Sequence, residues 1–212
     1  MSIKVKLCGF TNNATIEVAL LNKVDFVGFV FHKSSPRNIS FSLAKTISKK
    51  IPKTVSKVAV CCNSSNYKIN KIIESIAPDF LQLHGNETKS RVLEIKNQFN
   101  IKIIKSISIA NHSSIAEAKE YENTVDYLLF DTANTNVFGG SGKTFDWKIL
   151  QNLKIKCDWF LSGGLNYQNI EQAIQDTKAK FIDVSSGIES AKGIKSEILI
   201  KKFLQKIKSY EY

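Results

Sequence analysis

The chain has 212 residues and a hydrophobic content of 43%, which predicts a single domain over residues 1–212 with one buried core. Its formal net charge is +11, a value also found in nucleic-acid-binding proteins. The lysines, however, are scattered over the polar faces of helix-like stretches, and few aromatic residues lie among them to stack on bases. We therefore expect a solvated basic surface, no nucleic-acid partner, and compatibility with an anionic small molecule.

The cysteines and the hydropathy pattern bear on compartment, metals and membranes. Cys8, Cys61, Cys62 and Cys157 form no C-x-x-C pair, and no Cys and His residues have the spacing of a zinc site. The sequence has no leader-like segment and no apolar run long enough to cross a bilayer. These observations predict a reduced, cytoplasmic protein with no metal and no membrane partner.

Eight short apolar runs rich in Val, Ile, Leu and Phe are predicted to be β-strands. In chain order they are Ile3–Leu7, Phe26–Phe31, Val58–Cys62, Phe80–Leu83, Ile101–Ile107, Tyr127–Phe130, Trp159–Leu161 and Phe181–Val184. Between them, apolar residues recur three and four positions apart, as in amphipathic helices, and capping residues such as Ser40 precede several of these stretches. Eight strand–helix alternations predict an α/β fold, a compact (β/α)8 TIM barrel, with a doubly wound open sheet as the alternative.

Six of these runs end at or lead into a reactive, glycine-rich or phosphate-friendly segment. These segments are Cys8-Gly9, Ser35-Pro36-Arg37, His84-Gly85, Asp131, Ser162-Gly163-Gly164 and Ser185-Ser186-Gly187. The carboxyl ends of parallel barrel strands share one face, where active sites are built. Functional-looking ends from the first strand to the last therefore favour a closed barrel and indicate an enzyme.

Small-residue loops follow the last three strands and favour a phosphate subsite. Backbone N–H groups at Gly163-Gly164 and at Ser185-Ser186-Gly187 can approach an anion closely, and Gly139–Gly142 adds a third loop. Phosphate sites in barrels commonly use the loops after strands seven and eight. A lone pair of glycines is usually only a turn, but three such loops in succession are a stronger signal.

Arg37 is conspicuous because lysine supplies nearly all of the 30 basic residues, with Arg91 the other arginine. A guanidinium binds a carboxylate or a phosphate through a planar fork that an ammonium lacks. Arg37 follows the second strand and is predicted to hold an anionic group of the substrate. The alternative is a loop arginine tied to a backbone carbonyl. Arg91 lies in a helix-like stretch and is expected on the surface.

Cys8 and Asp131 end the first and sixth strands and are the candidate catalytic residues. A cysteine is often buried and inert, but Cys8 lies where the chain turns, and Asp131 follows the apolar run Leu128–Phe130, where a carboxyl is costly unless it serves a polar site. A thiolate can accept a carbon-bound proton while a carboxylic acid protonates a departing oxygen, which is isomerase chemistry without a cofactor. His84 is predicted as a further pocket residue, with a capping role as the alternative, and Asp183 as an inward-pointing polar anchor.

Six short segments, in order and spread over nearly the whole chain, carry a family resemblance. They are KLCGFT (Lys6–Thr11), GFVF…SPR (Gly28–Arg37), QLHG (Gln82–Gly85), FDT…GGSGKTFDW (Phe130–Trp147), LSGGL (Leu161–Leu165) and DVSSGIE (Asp183–Glu189). Each segment is weak alone, but the ordered set closely resembles the phosphoribosylanthranilate isomerases of tryptophan biosynthesis. The sequence departs from that family at Cys61-Cys62 and at Ser196, where the family usually has Asp and where Ser can cap the last helix.

The resemblance implies an Amadori rearrangement of N-(5-phosphoribosyl)anthranilate to 1-(o-carboxyphenylamino)-1-deoxyribulose 5-phosphate, with no cofactor. It implies that Asp131 is the general acid that protonates the ribose ring oxygen. Cys8 would be the general base that removes a proton from the neighbouring sugar carbon. Arg37 would meet the anthranilate carboxylate.

The resemblance also implies where the phosphate binds. Gly163-Gly164 and Ser185-Ser186-Gly187 would hold it, with Gly140 and its neighbours closing over the substrate. Families of this kind contain monomers and homodimers, and we expect one of these two states.

Other functions compete with this one. A histidine-pathway isomerase performs the same rearrangement on a different aminoaldose and uses a carboxylate pair, so Cys8 favours the anthranilate substrate. A non-catalytic phosphate-binding barrel belongs to a different class, as does a nucleic-acid binder, for which the sequence lacks clustered lysines with stacking aromatics.

Overall fold

The computed structural model describes residues 3–132 and 144–210. Eight parallel strands close into a barrel in chain order, and the last strand pairs with the first, Asp183 lying opposite Lys6. The strands are β1 Lys4–Cys8, β2 Phe26–Val30, β3 Ser56–Cys61, β4 Phe80–Leu83, β5 Lys102–Ile109, β6 Tyr127–Thr132, β7 Asp158–Leu161 and β8 Phe181–Val184. The (β/α)8 barrel is therefore confirmed over the open sheet.

Helices cover the outside of the barrel. They are α1 Asn13–Leu21, α2 Phe41–Ser48, α3 Asn66–Ile76, α4 Lys89–Phe99, α5 Ser113–Tyr121, α6 Ile170–Thr177 and α7 Glu197–Tyr210. The predicted caps Ser40 and Ser196 are confirmed, because their hydroxyls accept hydrogen bonds from the N–H groups of Leu43 (3.2 Å) and Leu199 (3.3 Å).

The regular alternation fails at two connections. Between β6 and β7 the described residues contain only a 3₁₀ turn, Trp147–Leu150, where an α-helix was expected. After β8 the chain forms a short hairpin, β9 Glu189–Ala191 and β10 Ile194–Lys195, before α7 begins. The hairpin was not predicted, and it lies beside the candidate site.

A layer of aromatic rings closes the amino-terminal end of the barrel. Phe26, Phe80, Tyr127 and Phe181 are the first residues of β2, β4, β6 and β8, and neighbouring rings lie 5.1–6.5 Å apart. Four side chains from alternate strands form one layer of a barrel interior. Because the bottom is filled with aromatic rings, polar side chains can face inward only nearer the carboxyl ends.

Cys61, at the end of β3, packs in the apolar layer between barrel and helices, and burial raises the pKa of its thiol from 9.0 to about 12. The unfolded chain releases this proton from about pH 9, whereas the folded chain keeps it, so stability is lost as pH rises. We expect the free energy of unfolding to fall with pH less steeply in Cys61→Ala, by about 1.4 kcal/mol per pH unit above pH 9. Denaturant titrations between about pH 9 and pH 10.5 measure both slopes, and equal slopes would contradict this placement.

Among the described residues, no helix is both long enough and apolar enough to cross a membrane.

Candidate active site

The barrel interior becomes polar toward the carboxyl ends of the strands. Side chains two positions apart point to the same face of a strand. Gln82 and His84 therefore point inward as Phe80 does, and Asp131 points inward as Tyr127 and Leu129 do. The same alternation places the candidate base and acid on the inner surface of one barrel.

One cavity at this end collects most of the predicted site residues. Its lining is Cys8, Val30, His32, Ser35, Arg37, Val60, Cys62, Gln82, His84, Asp131, Ser162, Asp183 and Ser185. Gly163, Gly164, Ser186 and Gly187 are not part of this lining and lie in the adjoining loops. Gly140 falls outside the described residues.

Cys8 lies at the carboxyl end of β1 and is tightly enclosed. A Cβ atom on Gly28 would lie 2.8 Å from the Cys8 sulfur, so a glycine is needed there. Burial raises the pKa of the Cys8 thiol, while the hydrogen-bonded Lys6 ammonium and the charge of Lys195 oppose that rise and Asp183 adds to it. The two ammonium groups therefore stabilise the thiolate in a site that otherwise favours the thiol.

Lys6 is a functional residue that the sequence interpretation missed. It is fully buried inside the barrel, and its Nζ lies 2.8 Å from Asp183 Oδ1, while the Ser162 hydroxyl donates to Asp183 Oδ2 at 3.1 Å. Burial alone would lower the pKa of Lys6, but Asp183 and Cys8 hold it above its usual value, so the ammonium stays charged. A lysine two positions before Cys8 in an apolar run is the signal that could have identified it.

We expect Lys6→Gln to raise the pKa of Cys8 further, since the ammonium beside the thiolate is lost. The pH dependence of Cys8 alkylation by iodoacetamide, followed on the Cys8 peptide by mass spectrometry, would then shift to higher pH. Lys4→Gln is the matched control on the same strand, because Lys4 is exposed and pairs with Asp25. An alkylation midpoint unchanged by Lys6→Gln would contradict the role of Lys6.

Asp131 contacts His84, which gives that histidine a specific partner. His84 Nε2 lies 3.3 Å from Asp131 Oδ2, and His84 Nδ1 lies 2.9 Å from Gln82 Nε2. The Thr132 N–H donates to Asp131 Oδ1 at 2.8 Å. With the Gln82 amide donating to Nδ1, the neutral His84 ring presents its Nε2–H to the carboxyl and holds it by a hydrogen bond.

Gln82 is a second residue that the sequence interpretation did not single out as part of the site. It is 1% exposed, and its Oε1 has no hydrogen-bond partner within residues 3–132 and 144–210. A buried amide oxygen without a partner is unfavourable unless something else donates to it. Its position in the cavity lining makes a substrate N–H or O–H group a suitable donor.

Arg37 faces the cavity but is already held by a carboxylate. Its Nε and Nη2 donate to the two oxygens of Glu189 at 2.6 and 2.8 Å, and both side chains are buried. The alternative of a backbone-carbonyl anchor is therefore wrong, and Glu189 is a partner that sequence reasoning missed. Arg91, in contrast, pairs with Glu94 on α4, in agreement with its predicted place near the surface.

The loops after β7 and β8 meet and form one small-residue surface. Gly187 pairs with Asn166, and a Cβ atom on Gly187 would collide with the Leu165 carbonyl oxygen. Within the described part of the chain, the N–H groups of Gly164 and Ser186 donate to no protein acceptor. These properties suit an anion subsite.

Gly163 and Ser185 have structural contacts beyond the predicted phosphate contact. Gly163 has φ +90°, and a Cβ atom there would collide with Thr132 Oγ1 and lie 3.2 Å from Asp131 Oδ1. The Ser185 hydroxyl donates to the Cys8 carbonyl oxygen at 3.0 Å and lies 3.2 Å from Lys195 Nζ. Both residues therefore also shape the surroundings of the candidate acid and base.

Comparisons with known proteins agree with this architecture. The family model described as N-(5'-phosphoribosyl)anthranilate (PRA) isomerase matches residues 5–206. The N-(5'-phosphoribosyl)anthranilate isomerase of Parvibaculum lavamentivorans is 38% identical over 98% of this chain and 99% of its own length. The Zymomonas mobilis protein of the same name is also 38% identical, with coverage of 98% and 99%.

Solved structures give the same result. The phosphoribosyl anthranilate isomerase from Thermotoga maritima superposes with a TM-score of 0.89 at 32% identity, covering 98% of this chain and 99% of that one. A phosphoribosyl anthranilate isomerase in complex with reduced 1-(o-carboxyphenylamino)-1-deoxyribulose 5-phosphate has a TM-score of 0.85, 31% identity and the same coverage. With its closed barrel, its inward-facing Cys8 and Asp131 and these full-length matches, the chain belongs to the phosphoribosylanthranilate isomerase family.

Proposed function

We propose that this protein catalyses the Amadori rearrangement of N-(5-phosphoribosyl)anthranilate to 1-(o-carboxyphenylamino)-1-deoxyribulose 5-phosphate, an isomerase step of tryptophan biosynthesis. The observation that carries the proposal is that Cys8 and Asp131 line one cavity at the carboxyl ends of β1 and β6. The reaction needs one acid at the ribose ring oxygen and one base at C2, the two atoms on either side of C1, and it moves protons without net oxidation.

Asp131 serves as the general acid. In its protonated form it gives a proton to the ribose ring oxygen, the C1–O bond breaks, and the anthranilate nitrogen supplies the electron pair that forms the iminium. His84, 3.3 Å from Asp131, holds the carboxyl in place through its Nε2–H.

Cys8 serves as the general base. Its thiolate removes the proton from sugar C2, and the C–H electron pair forms the C1–C2 double bond of an enolamine while neutralising the iminium nitrogen. Tautomerisation then protonates C1 and releases the hydroxyl proton from the oxygen on C2, which gives the ketone. Lys6 and Lys195 support this step because both favour the thiolate.

Binding is assigned to the groups around this pair. The anthranilate carboxylate meets Arg37, and the phosphate lies against Gly163-Gly164 and Ser185-Ser186-Gly187, where the N–H groups of Gly164 and Ser186 have no acceptor among the described residues. Asp183 holds Lys6 beneath the substrate. Gly140 remains a proposed contact of the closing loop on sequence grounds alone.

The finer properties of the protein follow from this function as proposals. We propose one domain over residues 1–212 and a cytoplasmic location, as for other biosynthetic steps on small metabolites. We propose that the protein is a monomer or a homodimer, since the Thermotoga maritima relative is dimeric and has also been obtained as monomers.

The proposal is tested by following the fluorescence of freshly generated N-(5-phosphoribosyl)anthranilate. We expect the wild-type protein to accelerate its loss well above the spontaneous background, and reduced 1-(o-carboxyphenylamino)-1-deoxyribulose 5-phosphate to inhibit competitively. The aminoaldose of the histidine-pathway isomerase is the control substrate. Turnover of that compound with no turnover of phosphoribosylanthranilate would overturn the proposal.

A further inference from the structure

The hairpin β9–β10 places a buried carboxylate against the one arginine of the cavity. Glu189, the first residue of β9, receives hydrogen bonds from Arg37 Nε at 2.6 Å and Nη2 at 2.8 Å, and the two side chains are 4% and 6% exposed. This occupies one edge of the guanidinium. Nη1 donates to no acceptor within the described ranges, so the opposite edge stays available on the side of the cavity that Arg37 lines.

The hairpin itself is fixed on both sides of Glu189. Lys195 Nζ, on β10, lies 2.7 Å from Glu189 Oε1 and also donates to the Ser185 carbonyl oxygen at 2.9 Å. The Gly193 N–H donates to Glu189 Oε2 at 3.1 Å. Every part of the carboxylate is therefore engaged, and its orientation does not depend on a bound substrate.

The loop that carries Arg37 is packed just as closely. A Cβ atom on Gly193, which has φ +83°, would lie 2.7 Å from the Pro36 carbonyl oxygen, so the hairpin turn touches the residue before Arg37. A Cβ atom on Gly9 would lie 2.6 Å from Arg37 Cδ, so the arginine stem lies against the β1 end. Glycines at both positions let backbone and stem approach, and little space is left for another arginine rotamer.

The carboxylate of Glu189 is ionised and is shared by two basic side chains. Burial would raise the pKa of Glu189, but hydrogen bonds from Arg37, the Lys195 ammonium and the Gly193 N–H lower it below its usual value. Burial lowers the pKa of Lys195, and Glu189 opposes that fall by its charge and its hydrogen bond. Glu189 thus orients Arg37 through the Nε–Nη2 edge, and the Nη1 edge can still hydrogen-bond an anionic substrate group.

We propose that Glu189 is a positioning residue that sets substrate specificity through Arg37. By holding the Nε–Nη2 edge, it turns the Nη1 side of the guanidinium toward the ring carboxylate of an N-aryl aminosugar phosphate. This inference rests on the proposed function. It means that the contact between the loop after β2 and the hairpin after β8 makes the site prefer a substrate whose aromatic amine carries an ortho-carboxyl group.

The test compares two ligands that differ only in the ring carboxyl: the reduced product 1-(o-carboxyphenylamino)-1-deoxyribulose 5-phosphate and its reduced phenylamino analogue. Calorimetry gives the Kd of each for the wild type and for Glu189→Gln. We expect Glu189→Gln to weaken the carboxylate ligand roughly 10- to 100-fold and the analogue less than about threefold, because only the first uses Arg37. Arg37→Lys should reproduce this split, and Glu197→Gln, at the exposed start of α7, should change neither Kd.

Equal losses for both ligands would show a merely structural role for Glu189, and no loss for either would remove it from recognition; both results overturn the inference. Glu189→Asp, which keeps the charge but shortens the reach, replaces Glu189→Gln if the latter does not fold, with the same ligand split expected. Failure of the proposed function is distinguishable, because it would appear as absent turnover by the wild-type enzyme.

Discussion

Replacing Cys8 with alanine is expected to lower kcat by roughly 100- to 10,000-fold, the contribution typical of a positioned general base. The thiolate is the group assigned to remove the C2 proton, and the neighbouring charged side chains Lys6, Asp183 and Lys195 each perturb its ionisation. The loss should appear in kcat more than in KM, since the thiol is not assigned to a binding contact. The fluorescence assay with phosphoribosylanthranilate measures both parameters.

Cys157→Ala is the matched control for the thiol. Cys157 is only half-buried and precedes β7 on the outside of the barrel, so its removal should leave kcat within about twofold. Circular dichroism and thermal unfolding establish that Cys8→Ala is folded. A folded Cys8→Ala enzyme with wild-type kcat would remove Cys8 from the mechanism.

Asp131→Asn is expected to reduce kcat by a similar factor, roughly 100- to 10,000-fold. The amide keeps the size of the carboxyl and can still lie near His84, but it cannot give a proton to the ribose ring oxygen. The substitution therefore separates proton donation from packing. Asp131 is 5% exposed and is the penultimate residue of β6, so an isosteric change is needed to keep the site intact.

The comparison that decides this prediction uses Asp158→Asn, at the exposed start of β7. That control should retain wild-type kinetics. The reduced product should still bind Asp131→Asn with a Kd close to that of the wild type, since the proton donor is not assigned to a binding contact. Retained turnover in Asp131→Asn would assign the acid role to another group, of which His84 is the nearest.

Much of the fold could be predicted because the barrel is encoded locally. Each strand is a short apolar run, and helices α1 to α4 each begin at a side chain that caps them, as Ser40 shows for α2. The hairpin β9–β10 could not be predicted, because strands of three and two residues carry no periodic pattern. The 3₁₀ turn before β7 is similarly too short for a helical pattern to distinguish it.

The candidate site could be predicted where its residues lie at the carboxyl ends of strands or in the loops that follow them. Cys8, His84 and Asp131 line the cavity because the carboxyl ends of barrel strands meet, a rule that needs no contact information. The contact between Arg37 and Glu189 spans 152 positions of sequence, and no local pattern encodes such a pairing. Gln82 was missed for a different reason, since its position on the inner face depends on the alternation within β4.

The central claim is that a thiolate removes the C2 proton and that an enolamine is then protonated at C1. The most direct test is to run the wild-type reaction in D₂O. The product is reduced with borohydride and its carbon-bound deuterium located by NMR, with the spontaneous reaction as background. We predict one deuterium at C1, because the removed hydrogen exchanges with solvent from sulfur. Product formed above background with the original C2 hydrogen at C1, and no deuterium there, would contradict the mechanism.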